Sequence, residues 1–223
     1  MEKTLYVAFH GEGPTDERLF INLSERLIKS YLLKNDLTAK ISWLVLRDKG
    51  SSSSQTLIST AISAKDQDIL IFHRDADDLN WAVCYNNHFE DGISTLNALQ
   101  EDTVCKRIIA AIPVKETEAW ILIDKELLRD IIESDLTIAE LGLNYLIKNI
   151  ERIGDPKHTI ENAIRINKQN LPAKRRKFAI SRSEIYEKFS QEVNIQSLER
   201  LSSFKQFKTN VISALNAIFK AQS

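Results

Sequence analysis

The 223-residue chain contains only two cysteines, six glycines, four prolines and one methionine. The two cysteines, Cys84 and Cys105, are too few for a disulfide framework and indicate no structural zinc site. The scarcity of glycine and proline argues against a linker-rich or low-complexity chain. The apolar run near the N-terminus breaks at Gly11, which is too early for a signal peptide or a membrane span. These absences predict a cytoplasmic protein that does not enter a membrane.

The formal charge at pH 7 is −1, so the whole chain has no bias towards polyanions. Residues 148–188 nevertheless hold eleven basic and five acidic residues, which leaves 19 basic and 26 acidic residues elsewhere. This asymmetry suggests an acidic site and a basic face in one molecule, although a solvated helix surface is the more common origin of such runs. The chain has neither a P-loop nor a Gly-x-Gly-x-x-Gly motif, so we expect no unaided ATP hydrolysis.

Short apolar strands alternate with helical segments in the first half of the chain. The predicted strands cover Thr4–His10, Ala39–Leu46, Asp68–His73 and Lys106–Pro113. Continuous apolar strands separated by helices are typical of a mainly parallel, four-stranded sheet with helices on both faces. The strand signal ends near Asp124, and breaks at Gly154-Asp155-Pro156 and Leu171-Pro172 divide a helical region. Apolar residues at helical spacing predict one helix that starts near Thr15 and a last helix with an apolar stripe from Phe204 to Ile218. We predict an α/β core over residues 1–124 and a C-terminal helical extension over residues 125–223 that packs on it; a single compact domain stays open.

Carboxylates follow three of the predicted strands. Glu12 follows the first strand, Asp75 and Asp77 follow the third, and Glu116 and Glu118 follow the fourth. Ligands of open parallel sheets bind at the carboxyl ends of the strands, so these side chains should meet at one edge. Like charges held together need a neutralising cation, and hard oxygen ligands select Mg²⁺ or Mn²⁺ over zinc. The pattern predicts a divalent metal site.

Two segments resemble the motifs of the Toprim (topoisomerase–primase) domain. VAFHGEGPTDERLF is similar to the first motif, a strand that ends in Glu-Gly, and ILIFHRDADD is similar to the second, an apolar strand that ends in Asp-x-Asp. Toprim domains occur in topoisomerases, bacterial primases, small RNA-processing nucleases and OLD-type nucleases. The resemblance implies a Toprim-like fold and metal-dependent phosphodiester chemistry, with Glu12, Asp75 and Asp77 at the matching positions. It leaves open whether Glu12 binds metal or acts as the general base.

Three further segments, IPVKETEAWILID, DPKH and LERLSSFKQF, resemble a small Toprim-like family related to OLD-type nucleases. Members of that family are thought to assist ATPases in bacterial phage defence. The resemblance implies a partner ATPase, adds Glu116 and Glu118 as metal ligands, and adds Lys157 as a catalytic cation, although a plain surface lysine is an equally good interpretation of Lys157. The chain has no strand-passage domain and no primase zinc module. The expected function is therefore a Mg²⁺- or Mn²⁺-dependent nuclease acting on DNA or RNA, as a monomer or a homodimer.

A basic segment is the predicted contact for the nucleic-acid backbone, although a solvated helix face is an equally good interpretation. Its residues are Lys174, Arg175, Arg176, Lys177 and Arg182.

Two other functions stay open. A near-zero charge suits a non-catalytic Toprim-scaffold adaptor or sensor, and Asp-x-Asp at a strand end also binds metal–nucleotide-sugar in glycosyltransferases. The Gly-Glu-Gly-Pro-Thr turn does not supply the nucleotide-binding half that a nucleotide-sugar transferase needs.

Overall fold

The computed structural model describes residues 3–77, 80–172 and 180–219, and it confirms the predicted α/β class. Four strands form one parallel sheet in the order β2-β1-β3-β4. In chain order they are β1 (Lys3–His10), β2 (Ala39–Leu46), β3 (Ile69–His73) and β4 (Ile108–Ala111).

Helices connect the strands and fill the C-terminal part of the described chain. The α-helices are α1 (Pro14–Lys34), α2 (Ser53–Ser63), α3 (Trp81–Tyr85), α4 (Asp91–Ala98), α5 (Glu118–Ile121), α6 (Lys125–Ile131), α7 (Pro156–Asn170), α8 (Arg182–Glu192), α9 (Ile195–Leu198) and α10 (Ser202–Phe219). A π-helical turn, Asn86–Glu90, joins α3 to α4, and a 3₁₀ helix spans Ile147–Arg152. None of these helices is long and apolar enough to cross a membrane, within the ranges the structure describes.

The central strands are apolar on both faces, which lets helices cover the sheet from two sides. Val7 and Phe9 of β1 point into a core formed with α1 and the C-terminal helices. Ala8 of the same strand and Phe72 of β3 point into a second core under α2 and α4. The predicted layers of helices on both faces of the sheet are thereby confirmed.

Strand β2 has the predicted bounds, Ala39–Leu46, and is an edge strand. It pairs only with β1, at the edge of the sheet. Leu44 and Val45 are each 37 % exposed, because no helix covers this edge completely. An apolar run of eight residues therefore does not distinguish an edge strand from a central one.

Helix α1 begins at Pro14, one residue before the predicted Thr15. Gly13 is the N-cap, and the Asp16 carboxylate accepts a hydrogen bond from the Gly13 N–H at 3.0 Å. A proline in the first helical position and an acidic residue in the first turn both favour a helix start. This start fixes Asp16 beside the turn that follows β1.

The C-terminal helices share a core with the sheet. Helix α7 begins at Pro156 and ends at Asn170, as the two predicted breaks require. Helix α10 buries its predicted apolar stripe, from Phe204 to Ile218. Leu5 of β1 and Ile218 of α10 belong to one continuous cluster of buried side chains. Residues on both sides of position 124 therefore stabilise the same core.

Candidate active site

The order of the strands creates a switch point between β1 and β3. The chain leaves β1 towards β2 on one side, and it returns to the other side of β1 to form β3. Ligands of open α/β sheets bind outside the carboxyl ends of strands at such a point. Glu12 follows β1 and Asp75 follows β3, so these two predicted residues flank the switch point.

Asp75 is held in place by Thr117, which precedes α5. Its Oδ1 atom accepts hydrogen bonds from the backbone N–H of Thr117 at 2.8 Å and from the hydroxyl of Thr117 at 3.0 Å. Its Oδ2 atom accepts none from the residues that the structure describes. One carboxylate oxygen is thus used for positioning, and the other has no donor among the described residues.

A buried histidine connects the two elements behind Asp75. Nδ1 of His73 donates to the carbonyl oxygen of Ala111 at 3.0 Å, which places the proton of a neutral ring on Nδ1. Nε2 lies 3.3 Å from the Thr117 hydroxyl, 3.7 Å from the Asp75 carboxylate and 3.9 Å from the Asp16 carboxylate. Phe20 of α1 stacks on the imidazole with ring centroids 4.3 Å apart. His73 therefore lies between the two acids and connects β3 to β4.

The charges at this edge act on one another. Burial raises the pKa of Asp75 to about 7, and the negative charges of Glu12 and Asp16 add to the increase. The His73 imidazole and the Thr117 hydroxyl oppose it. Glu12 itself is exposed. The charge of Glu12 thus acts on Asp75, and the structure places Asp16 beside Asp75 at the His73 ring.

The backbone turns at Asp77, away from the direction of β3. Its backbone φ is +51°, in the left-handed region, and its N–H donates to the carbonyl oxygen of Lys115 at 3.1 Å. Its side chain is exposed. Burial raises the pKa of the Cys84 thiol to about 11, and the charges of Asp77, Asp75 and Glu12 add to the increase. The charges of all three predicted acids therefore act on the region around Cys84. The positive φ of Asp77 turns the backbone, so Asp75 and Asp77 do not lie along one straight segment.

Glu118 is buried, with 6 % of its surface exposed. It accepts a hydrogen bond from the Tyr186 hydroxyl of α8, and its Oε1 lies 4.0 Å from Nη1 of Arg182. Arg182 also pairs with Glu161 at 3.4 Å. These contacts occupy Arg182, which was predicted to bind nucleic acid. The other four predicted contacts, Lys174 to Lys177, lie outside the described residues.

Glu116 and Lys157 lie side by side. The backbone N–H of Lys157, in the first turn of α7, donates to the Glu116 carboxylate at 3.2 Å. Burial raises the pKa of Glu116, and the charges of Glu118 and Asp155 add to the increase; the Lys157 backbone and side chain oppose it. Glu116 thus contacts α7, and Glu118 contacts α8. Lys157 lies next to Glu116.

The oxygen ligands at this edge suit a hard cation, but few of them lie close to one another. Glu12, Asp16 and Asp75 offer only oxygen ligands, and Oδ2 of Asp75 accepts no hydrogen bond from another described residue. No group of three or more His, Cys, Asp or Glu side chains in residues 3–77, 80–172 and 180–219 is close enough to hold one ion. Mg²⁺ commonly takes one or two carboxylates and completes its shell with water and substrate phosphates. The residues fit a site of that kind.

Three residues of this site carried little signal in the sequence. Asp16 lies in VAFHGEGPTDERLF, where it reads as an acidic residue at the start of a helix. Thr117 lies in IPVKETEAWILID, between Glu116 and Glu118. Tyr186 comes from α8, more than 60 residues beyond Glu118. Only packing of α8 against α1 and α6 brings its hydroxyl to the carboxylate.

The fold and site define an α/β protein with an acidic cluster at the switch point of a parallel sheet. Comparison with protein-family models, with curated proteins and with solved structures found no match to this chain.

Replacing Thr117 by valine should raise the pKa of Asp75 further. The substitution keeps the shape and the backbone N–H but removes a hydroxyl that favours the charged carboxylate. We expect an increase of about one unit, since one hydrogen bond to a charged group contributes about 1.5–3 kcal/mol, part of which water restores. A carboxyl-carbon NMR titration measures the pKa directly. An unchanged value would contradict this role for the hydroxyl.

Proposed function

We propose that the protein is a Mg²⁺- or Mn²⁺-dependent, Toprim-like nuclease that hydrolyses phosphodiester bonds in DNA or RNA. One observation carries the proposal: the carboxylates of Asp16 and Asp75 lie 3.9 and 3.7 Å from Nε2 of His73 at the switch point, and the charges of Glu12 and Asp16 add to the burial that raises the pKa of Asp75 to about 7. Repulsion of this kind is relieved when a divalent cation binds. The resemblance of the Glu12 and Asp75–Asp77 segments to Toprim motifs supports the phosphodiester chemistry.

The chain's residues have separate roles in this proposal. Asp75 offers its free oxygen to the metal, with Thr117 holding the other oxygen. Glu12, exposed in the turn after β1, either completes the ligand set or accepts the proton of the attacking water. When bound, the metal polarises a phosphate oxygen and lowers the pKa of a water molecule. Asp77, at the rim, is the second carboxylate available to a metal that arrives with substrate.

Residues after β4 complete the site. Tyr186 and Arg182 hold the Glu118 carboxylate in place. We assign to Glu118 an electrostatic role, in which its negative charge adds to that of Asp16 and Asp75. Lys157 lies beside Glu116 at the N-terminal end of α7, where the helix dipole favours anions. We assign to Lys157 the neutralisation of phosphate charge in the transition state. A partner ATPase belongs to the proposal through the family resemblance alone.

The direct test is cleavage by the purified protein. Labelled single-stranded and double-stranded DNA and RNA are incubated with Mn²⁺, Mg²⁺ or EDTA, and products are separated on a denaturing gel. We expect cleavage with either metal and none with EDTA. In parallel, Mn²⁺ at millimolar concentration should raise the thermal unfolding temperature, because it binds only the folded protein.

The outcomes separate the competing functions. Metal binding without cleavage of any of these nucleic acids would contradict the nuclease. No metal binding in calorimetry would favour the adaptor or sensor. Stabilisation by a nucleotide sugar, but not by oligonucleotides, would favour the transferase.

A further inference from the structure

A cavity of about 780 Å³ opens beside the acidic site. Its wall is formed by Trp81 at the start of α3, by Val114 after β4, by Lys148 and Arg152 of the 3₁₀ helix, and by Gln206 of α10. The volume is in the range of pockets that hold small ligands. None of the five residues was identified as functional from the sequence.

The cavity is continuous with the loops that carry the acids. Backbone hydrogen bonds join Ala76 to Pro113 and Asp77 to Lys115, at 3.0 and 3.1 Å. Val114 lies between these two bonds and lines the cavity. Asn80, another lining residue, follows Asp77 by three positions, so their Cα atoms are at most about 11 Å apart. The cavity is therefore lined by residues of the two loops that carry Asp75, Asp77 and Glu116.

The charge in the cavity is positive. Lys148 and Arg152 are exposed, and neither forms an ion pair with another residue in the described parts of the chain. Glu151 is the acidic residue between them, but its carboxylate accepts three hydrogen bonds at the start of α10, from the N–H and hydroxyl of Ser202 and the N–H of Ser203. Two cations without an acidic partner among the described residues are left to meet an anion.

The cavity also has an aromatic wall. The Trp81 indole stacks on Tyr85, with ring centroids 5.0 Å apart and planes 15° apart, and its remaining surface lines the cavity. Its Nε1 atom is buried and has no acceptor among the residues described. A buried donor without a partner costs free energy until an acceptor satisfies it. Aromatic surface beside cations is the arrangement that binds an unpaired base with its phosphate.

We infer that this cavity is a subsite for one unpaired nucleotide of a single-stranded nucleic acid, with the base against Trp81 and the phosphates on Lys148 and Arg152. The inference rests on the proposed function for the nature of the ligand, because the same strand would reach the acidic site. It adds a preference for single strands, since a paired base cannot turn into the cavity.

Binding of fluorescein-labelled oligonucleotides tests the subsite without catalysis. Anisotropy is measured in EDTA, over a series of salt concentrations, with single-stranded and duplex DNA and with single-stranded RNA. Lys148→Ala/Arg152→Ala should weaken single-strand binding and reduce the slope of log affinity against log salt by about 1.4, since each neutralised phosphate contributes about 0.7. Trp81→Leu should weaken it at least about 5-fold with little change in slope.

A charge-matched control is Lys40→Ala/Lys65→Ala. Both lysines are exposed, and they lie at the start of β2 and just before β3, at the opposite edge of the sheet. We expect this variant to keep the wild-type slope. Equal slopes for the two double variants, or no single-strand binding by the wild-type protein, would overturn the subsite. Binding through these residues without cleavage in metal would sustain the subsite and refute only the nuclease.

Discussion

Asp75→Asn is expected to reduce metal-dependent cleavage by at least about 10²–10³-fold, the usual cost of removing one group that stabilises the transition state. Asparagine keeps an oxygen that accepts the hydrogen bonds from Thr117, so the local structure should survive. It has no charge to offer a cation. Initial rates at saturating Mn²⁺ measure the effect. The matched control is Asp66→Asn, an exposed carboxylate before β3 that should leave the rate unchanged.

The same variant should be more stable than the wild-type protein in EDTA at pH 8. Burial raises the pKa of Asp75 from 3.8 in the unfolded chain to about 7, so the folded state holds its proton more tightly. Ionisation therefore costs stability, which falls as pH rises from about 4 to 7 and stays low above pH 7. The full cost is up to about 4 kcal/mol, and Asp75→Asn removes it.

Urea unfolding at pH 8 and pH 4 checks this sign. The two proteins should differ most at pH 8 and nearly agree at pH 4, where Asp75 is neutral in the folded protein and only about half ionised in the unfolded chain. A variant that is less stable at pH 8 would contradict the argument. It would also leave the loss of cleavage open to a trivial explanation by unfolding.

Trp120→Ala should cost about 3–5 kcal/mol of unfolding free energy, as expected for a large buried aromatic side chain. Trp120 is 0 % exposed, and its ring centroid lies 5.2 Å from Phe20 of α1 and 5.1 Å from Phe204 of α10. Its Nε1 also donates to the hydroxyl of Ser203 at 2.8 Å. The substitution would leave a cavity where the segment after β4 meets the C-terminal helices. The total free energy of unfolding of a typical domain is only about 5–15 kcal/mol.

The matched control is Trp43→Ala on the edge strand β2. Trp43 is only partly buried, although its Nε1 donates to Glu25 at 3.3 Å. Urea unfolding of both variants should show the larger loss for Trp120→Ala. Equal losses would mean that the aromatic cluster around Trp120 does not hold the C-terminal helices on the sheet.

Much of the architecture follows from local patterns. Apolar runs predicted all four strands to within about two residues, and helical spacing predicted α1 and the buried stripe of α10. The breaks before Pro156 and after Asn170 followed from glycine and proline chemistry. The positions of Glu12 and Asp75 at strand ends were also predictable, because a parallel sheet puts all carboxyl ends at one edge.

Other features depended on contacts between distant parts of the chain. The apolar pattern of β2 resembles that of a central strand, and only the strand order puts it at the edge. Asp77 was grouped with Asp75 by spacing, but a positive φ turns the backbone between them. Tyr186 and Arg182 reach Glu118 from α8, and no local pattern connects these residues.

The sequence by itself determined the strands, the helices and the acids that follow them, because hydrophobic periodicity and turn chemistry act over a few residues. Only the tertiary structure decided that β3 lies beside β1, that Asp16 and His73 join Asp75, and that Lys148, Arg152 and Trp81 share a cavity. Those decisions come from packing across the whole chain, where burial and charge are set by neighbours far apart in sequence.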